Sequence, residues 1–187
     1  MHHPTTAAIP AGFPAGFPAG FPAGTTTHGP TGTGPVRIRV AGPLDAELVD
    51  TMVREIARHE GSLDDVVAEP EDWRRMLVRD DVTVLIATDG VQALGYASTT
   101  RRLNLWLARD VLALDDLYVR DAARNRGVGR ELMTAVARLA APEGLTVVWG
   151  ARLENVDAHR FYRRLGAHLH DKTVAAWTPE AYAWACG

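Results

Sequence analysis

The chain has 187 residues, 47% hydrophobic and 23% charged, which suits one compact domain with or without a tail and is too short for two full-sized domains. A formal charge of −3 argues against broad nucleic-acid binding, which leaves a basic footprint, and favours a small and cationic partner. The single Cys186 excludes an intramolecular disulfide and a cysteine zinc cage, and the lack of any apolar run near ~20 residues or of a secretory leader predicts a soluble, cytoplasmic protein with no membrane partner.

Residues 1–35 carry no Asp, Glu, Lys or Arg but hold seven of the eleven prolines and seven of the seventeen glycines. Within them Ala11-Gly12-Phe13-Pro14 recurs twice more, ending at Pro22. A four-residue repeat with no amphipathic period cannot bury a face, so a disordered or polyproline-like tail is the expectation. The evenly spaced Phe13, Phe17 and Phe21 are alternatively anchors for a groove on a partner or on the domain itself.

The second region, 36–187, reads as an alternating α/β chain. Val36, Ile38 and Val40 alternate as a strand, and a helix is predicted over 44–59, with Leu44, Leu48, Met52 and Ile56 as its apolar stripe and Gly61 as its stop. A second helix holds Trp73, Met76 and Leu77. Two β-rich runs, 82–88 and 91–100, flank Asp89-Gly90, a dipeptide favoured in tight hairpins. A strand over 111–119, a helix over 127–141 and a strand over 145–149 follow, then a helix over 156–165 and strands near 167–170 and 173–177. The predicted architecture is α/β (α+β): a mixed central sheet of about six to seven strands flanked by helices.

Between a predicted strand and a predicted helix lies Arg124-Asn125-Arg126-Gly127-Val128-Gly129. A helix start offers unpaired N–H groups and the positive end of the dipole, and glycine lets a phosphate come close to the backbone. Arg120, Arg124, Arg126 and Arg130 against Asp121 and Glu131 leave the stretch net positive. It is neither a Walker loop nor a dinucleotide fingerprint.

This Arg-x-x-Gly-x-Gly after a strand, followed by Asn155, Ala158, Phe161-Tyr162 and Leu165-Gly166-Ala167, resembles the two signature motifs of the GNAT acyltransferases over roughly residues 36–187. The resemblance implies splayed central strands with acetyl-coenzyme A between them. The N–H groups of Arg126, Gly127, Val128, Gly129 and Arg130 would cradle its pyrophosphate beside Arg124 and Asn125, and Leu117, Tyr118 and Val119 would meet pantetheine. Tyr162, seven residues after Asn155, matches the tyrosine that protonates the departing thiolate. Asn155 is read as a helix cap that also contacts the cofactor's amides. A homodimer is expected by resemblance alone.

Asp115 and Asp116 stand mid-strand, where Asp is disfavoured unless used. Neighbours on a strand point to opposite faces, so only one is expected to look into the acceptor site unless a bulge intervenes. Here the chain resembles the spermidine/spermine acetyltransferase branch, in which two acidic residues precede the glycine motif and meet the amine. The first of them is Asp in place of the branch's usual Glu, which favours base action through a water. Glu60 falls near a third acidic position of that branch, and Trp106 one residue out of register with an aromatic.

Ten carboxylates and two arginines lie between Asp45 and Asp72, which either steer a cationic amine or form a solvated face. His168 and His170 are expected at the surface, Cys186 as a plain thiol, and no metal is expected. The reading is an N-acetyltransferase using acetyl-coenzyme A on a small, cationic primary amine, with Tyr162 as acid and Asp115 as base. A peptide or protein acetyltransferase and a non-catalytic coenzyme A-binding sensor are the alternatives.

Overall fold

The structure, a computed structural model, describes residues 34–90 and 92–186; all of the predicted tail except Gly34 and Pro35, with its Phe-Pro repeats, lies outside the described residues. Strand β1 (Arg37–Val40) is followed by helices α1 (Ala46–Glu60) and α2 (Pro70–Met76). Next come β2 (Val82–Thr88), β3 (Ala93–Asn104) and β4 (Arg109–Val119). Then follow α3 (Val128–Ala140), β5 (Thr146–Val148), α4 (Val156–Arg164) and α5 (Pro179–Cys186).

The strands form one mixed sheet in the order β1-β2-β3-β4-β5. The first four are antiparallel, and β5 runs parallel to β4, as the crossover through α3 requires. Leu85, Ala97, Leu112 and Leu114 pack on one face with Val128, Leu132 and Val136 of α3. On the other face Val84, Ile86 and Tyr96 pack with Val49, Met52 and Ile56 of α1. Full burial of an aliphatic side chain contributes ~1.5–3 kcal/mol, so these two cores fix both helices against the sheet.

The apolar stripe of α1 is set by Ala46, Val49, Met52 and Ile56; Leu44 precedes the helix and is 98% exposed. The β2–β3 connection is wider than a two-residue turn: Asp89 accepts the Gln92 N–H at Oδ1, and its own N–H donates to the Gln92 carbonyl. Five strands form among the described residues in place of six to seven, because the stretches near 167–170 and 173–177 make no ladder. Asp171 to Glu180 are all exposed, so that segment lacks both the apolar burial and the cross-strand partners that stabilise a strand. Helix α5, absent from the expectation, follows it, with Trp184 79% exposed. No described helix is long and apolar enough to cross a membrane.

Candidate active site

Two features of β4 create the site. First, β5 pairs only with Val111, Leu112 and Ala113, whereas β4 continues to Val119. Among the described residues no strand pairs with Leu114–Val119 on the β5 side, and a cleft opens there between β4 and Trp149-Gly150-Ala151. The cleft encloses about 540 Å³ of space, open solvent included. Of the expected cofactor residues, Leu117, Tyr118, Val119, Arg124 and Asn155 line it, as do Glu60, Asp115 and Tyr162.

Second, the β3–β4 ladder slips: Ser98 pairs with Asp116 but Thr99 pairs with Leu114, leaving Asp115 as an extra, bulged residue. Asp116 accepts the Ser98 hydroxyl at 2.8 Å, and Asp115 lies beside Thr100 and Arg102. Ser98, Thr100 and Arg102 are alternate positions of β3, so the bulge puts both carboxylates on the α1 face. The expectation that only one faces the site gives way to the exception it allowed. Asp115 lines the cleft, and Asp116 is buried behind it. Burial raises the pKa of both, against the Thr100 and Ser98 hydroxyls that lower it.

Glu60, the last residue of α1, completes the acidic wall. Desolvation, opposed by Arg152 and reinforced by Asp116, pushes its carboxyl up to about 7. Facing the wall is Tyr162, 6% exposed, its ring against Trp149 at 5.1 Å and Phe161 at 5.4 Å. Burial pushes its phenol up to about 12, so it stays protonated at any working pH. Asn155 caps α4, accepting the Ala158 N–H at 3.1 Å.

Beside the cleft, the chain enters α3 through left-handed backbone at Asn125 (φ 60) and Gly127 (φ 80). No side chain caps the helix, and its first closing bond runs from Glu131 N–H to Gly127 O, so the N–H groups of Val128, Gly129 and Arg130 precede the ladder. A Cβ on Gly129 would meet only Phe161 at 3.6 Å and Val119 at 3.8 Å, ordinary contacts. The fold therefore does not require glycine at 129. The open N–H groups and the missing side chain fit a phosphate held against the backbone.

The flanking arginines are less free than their sequence suggests. Arg120 forms a two-pronged pair with Glu55, Arg124 pairs with Asp121 at 2.8 Å, and Arg126 lies 3.8 Å from buried Asp89. Arg130 is exposed on the first turn. Much of the acidic run is likewise paired: Asp45 with Arg39, Asp50 with Arg54, Glu47 and Glu71 with Arg74, and Asp72 with Arg75. Only Glu60 of that run lines the cleft, so a long-range steering wall reduces to a short-range one. Trp106 sits in the β3–β4 turn, 70% exposed and outside the cleft. Trp149, Tyr96 and Arg152 went unnoticed as site residues; Trp149-Gly150 at the end of a predicted strand was the available signal for the first.

The Acetyltransferase (GNAT) family model matches residues 49–167. Thialysine N-epsilon-acetyltransferase of Bos taurus is 28% identical over 162 residues, covering 81% of this chain and 90% of that protein. L-ornithine N5-acetyltransferase NATA1 of Arabidopsis thaliana is 35% identical over 65 residues, 34% of this chain and 28% of that protein. The solved structure of AAC(6')-Iy in complex with the bisubstrate analog CoA-S-monomethyl-acetylneamine shares the fold, with TM-score 0.64, 22% identity and coverage of 75% of this chain and 96% of that one.

Proposed function

This chain belongs to the acetyltransferase (GNAT) family and is an acyltransferase, and from that premise we propose that it moves an acetyl group from acetyl-coenzyme A to a primary amine of a small, cationic molecule. The carrying observation is the convergence, along the unpaired edge of β4, of an uncapped helix start with two cleft-lining carboxylates, Glu60 and Asp115, backed by buried Asp116. The first suits a pyrophosphate and the second an ammonium. Relatives named for thialysine and ornithine modification support a chain-terminal amine as the acceptor, and favour a small molecule over a protein.

In this reading the N–H groups of Val128, Gly129 and Arg130, with that of Gly127, hold the pyrophosphate, while Arg124, Asn125 and Arg126 shape the turn. Leu117, Tyr118 and Val119 offer their backbone edge to pantetheine, with Asn155 across the cleft. Asp115 holds the ammonium, and Asp116 and Glu60 set the field around it. Tyr162 serves the departing sulfur. Its phenol, at about 12, is a weaker acid than a thiol of ordinary pKa near ~8.5, so it stabilises the developing thiolate chiefly by donating a hydrogen bond.

The test is thiol release from acetyl-coenzyme A with polyamines, diamino acids, aminoglycosides and peptides as acceptors. Turnover with one of the free cationic amines is expected. Turnover confined to peptides would move the acceptor class, and coenzyme A binding without transfer to any acceptor would make the protein a sensor.

A further inference from the structure

Within the acyl-transfer reading, we infer that the amine's proton is taken by Glu60 at the C-terminal end of α1, not by Asp115. Glu60 lines the cleft, yet its Oε1 is buried and has no hydrogen-bond partner. A buried carboxylate oxygen left without a donor is costly, and a substrate ammonium entering the cleft would supply one. The other two carboxylates are already engaged: Asp116 accepts the Ser98 hydroxyl at 2.8 Å, and Asp115 takes a hydrogen bond from Thr100 and faces Arg102. Asp116 is moreover screened from the cleft that Glu60 and Asp115 line.

Glu60 is surrounded by charged and titratable groups from several elements. His59 adjoins it on α1, and Tyr96 of β3 is wholly buried beside Asp116. Asp115, Asp116 and Tyr118 come from β4, Arg152 from the segment before α4, and Tyr162 from α4 across the cleft. Loss of water and the Asp116 charge raise the affinity of Glu60 for a proton, while Arg152 opposes them without cancelling them. The resulting value of about 7 suits a base that must be ionised at neutral pH and still accept a proton. Asp115, which lines the same cleft, holds the ammonium beside Glu60 while Glu60 takes its proton.

Glu60 takes a proton from the ammonium and releases it to solvent. The neutral amine attacks the thioester carbonyl, the N–C bond forms and the C–S bond breaks. The Tyr162 hydroxyl donates a hydrogen bond to the departing thiolate, and the second proton of the acylated nitrogen passes to that sulfur to give the free thiol.

The experiment is the pH dependence of kcat and kcat/KM for the full chain and its Glu60→Gln, Glu60→Asp and Asp115→Asn variants, with an amine that the parent acetylates. An ascending limb near pH 7 in the parent is expected. In Glu60→Gln kcat should fall ~10²–10⁴-fold at neutral pH and recover as rising pH frees the amine in solution. Acetyl-coenzyme A affinity and melting temperature at pH 6 should be retained, and Glu60→Asp should restore part of the limb. Asp115→Asn should keep the limb and raise KM for the amine. A Glu60→Gln enzyme that keeps both limb and rate, with Asp115→Asn losing them, would overturn the assignment and leave the acyl-transfer reading intact. A parent that acetylates no amine would sink both.

Discussion

Asp115 and Asp116, neighbours in the chain, lie on the same face of the sheet, because the ladder slips one residue between Ser98 and Thr99. One carboxylate lines the cleft and the other backs it from a buried position. Their roles are therefore separable by substitution. Asp115→Asn removes the charge that meets the ammonium and should raise KM for the amine ~10-fold or more, the scale of a hydrogen bond to a charged group. Asp116→Asn should leave KM nearly unchanged and move the ascending limb to lower pH, since the like charge that raises Glu60 is gone. Paired initial-rate profiles from pH 5.5 to 9 distinguish the two; identical effects from both variants would contradict the division.

Gly129 offers a test of the phosphate cradle that leaves the fold untouched. A methyl group there meets only ordinary contacts with Phe161 and Val119, and Ala is the better helix former by up to ~1 kcal/mol. Gly129→Ala should melt no lower than the parent while coenzyme A affinity falls ~10-fold or more, as expected when a charge-assisted backbone hydrogen bond is displaced. Calorimetric titration beside a melting curve measures both, and unchanged affinity would remove the cradle from this turn.

Tyr162→Phe keeps the ring packed against Trp149 and Phe161 and deletes only the hydroxyl. The expected result is a kcat ~10²–10³ lower, with little change in the Michaelis constant for acetyl-coenzyme A. Because burial pushes the phenol up to about 12, the parent should show no descending limb from this group below pH 10. A clear fall near pH 9 that the substitution abolishes would contradict this environment.

Stability carries the signature of Glu60 independently of catalysis. Its folded pKa is raised from an ordinary 4.5 to about 7, so the folded state binds the proton more tightly. The resulting stabilisation is full below pH 4.5 and is lost as pH rises through 7. Glu60→Gln should therefore match the parent near pH 5 and exceed it at pH 8 by about 1 kcal/mol, a figure discounted for the half-exposed side chain. Urea titrations at the two pH values report the difference directly, and an equal gap at both would show that Glu60 titrates normally.

The order of elements was legible because it rests on local signals. Alternation at Val36, Ile38 and Val40, the β-rich run 82–88, the periodic apolar positions of α1 and α3, and Gly127 before a helix all act within a turn or two of chain. So did the motif residues: Gly127, Asn155 and Tyr162 are recognisable by spacing, and the left-handed turn, the cap and the cleft position agree with it. Strands near 167–170 and 173–177 failed because alternation states which way side chains could point, not whether a neighbour exists to pair with. The site itself was decided by non-local events. The length of β5 left half of β4 unpaired, and a single slipped register turned Asp115 and Asp116 to one face. Ion pairs such as Arg120 with Glu55, 65 residues apart, consumed charges that composition counted as available. The acidity of Glu60 belongs to this second class: sequence placed a carboxylate at the end of a helix, and only the packing of α1 against β4 took it out of water and set it beside Asp116.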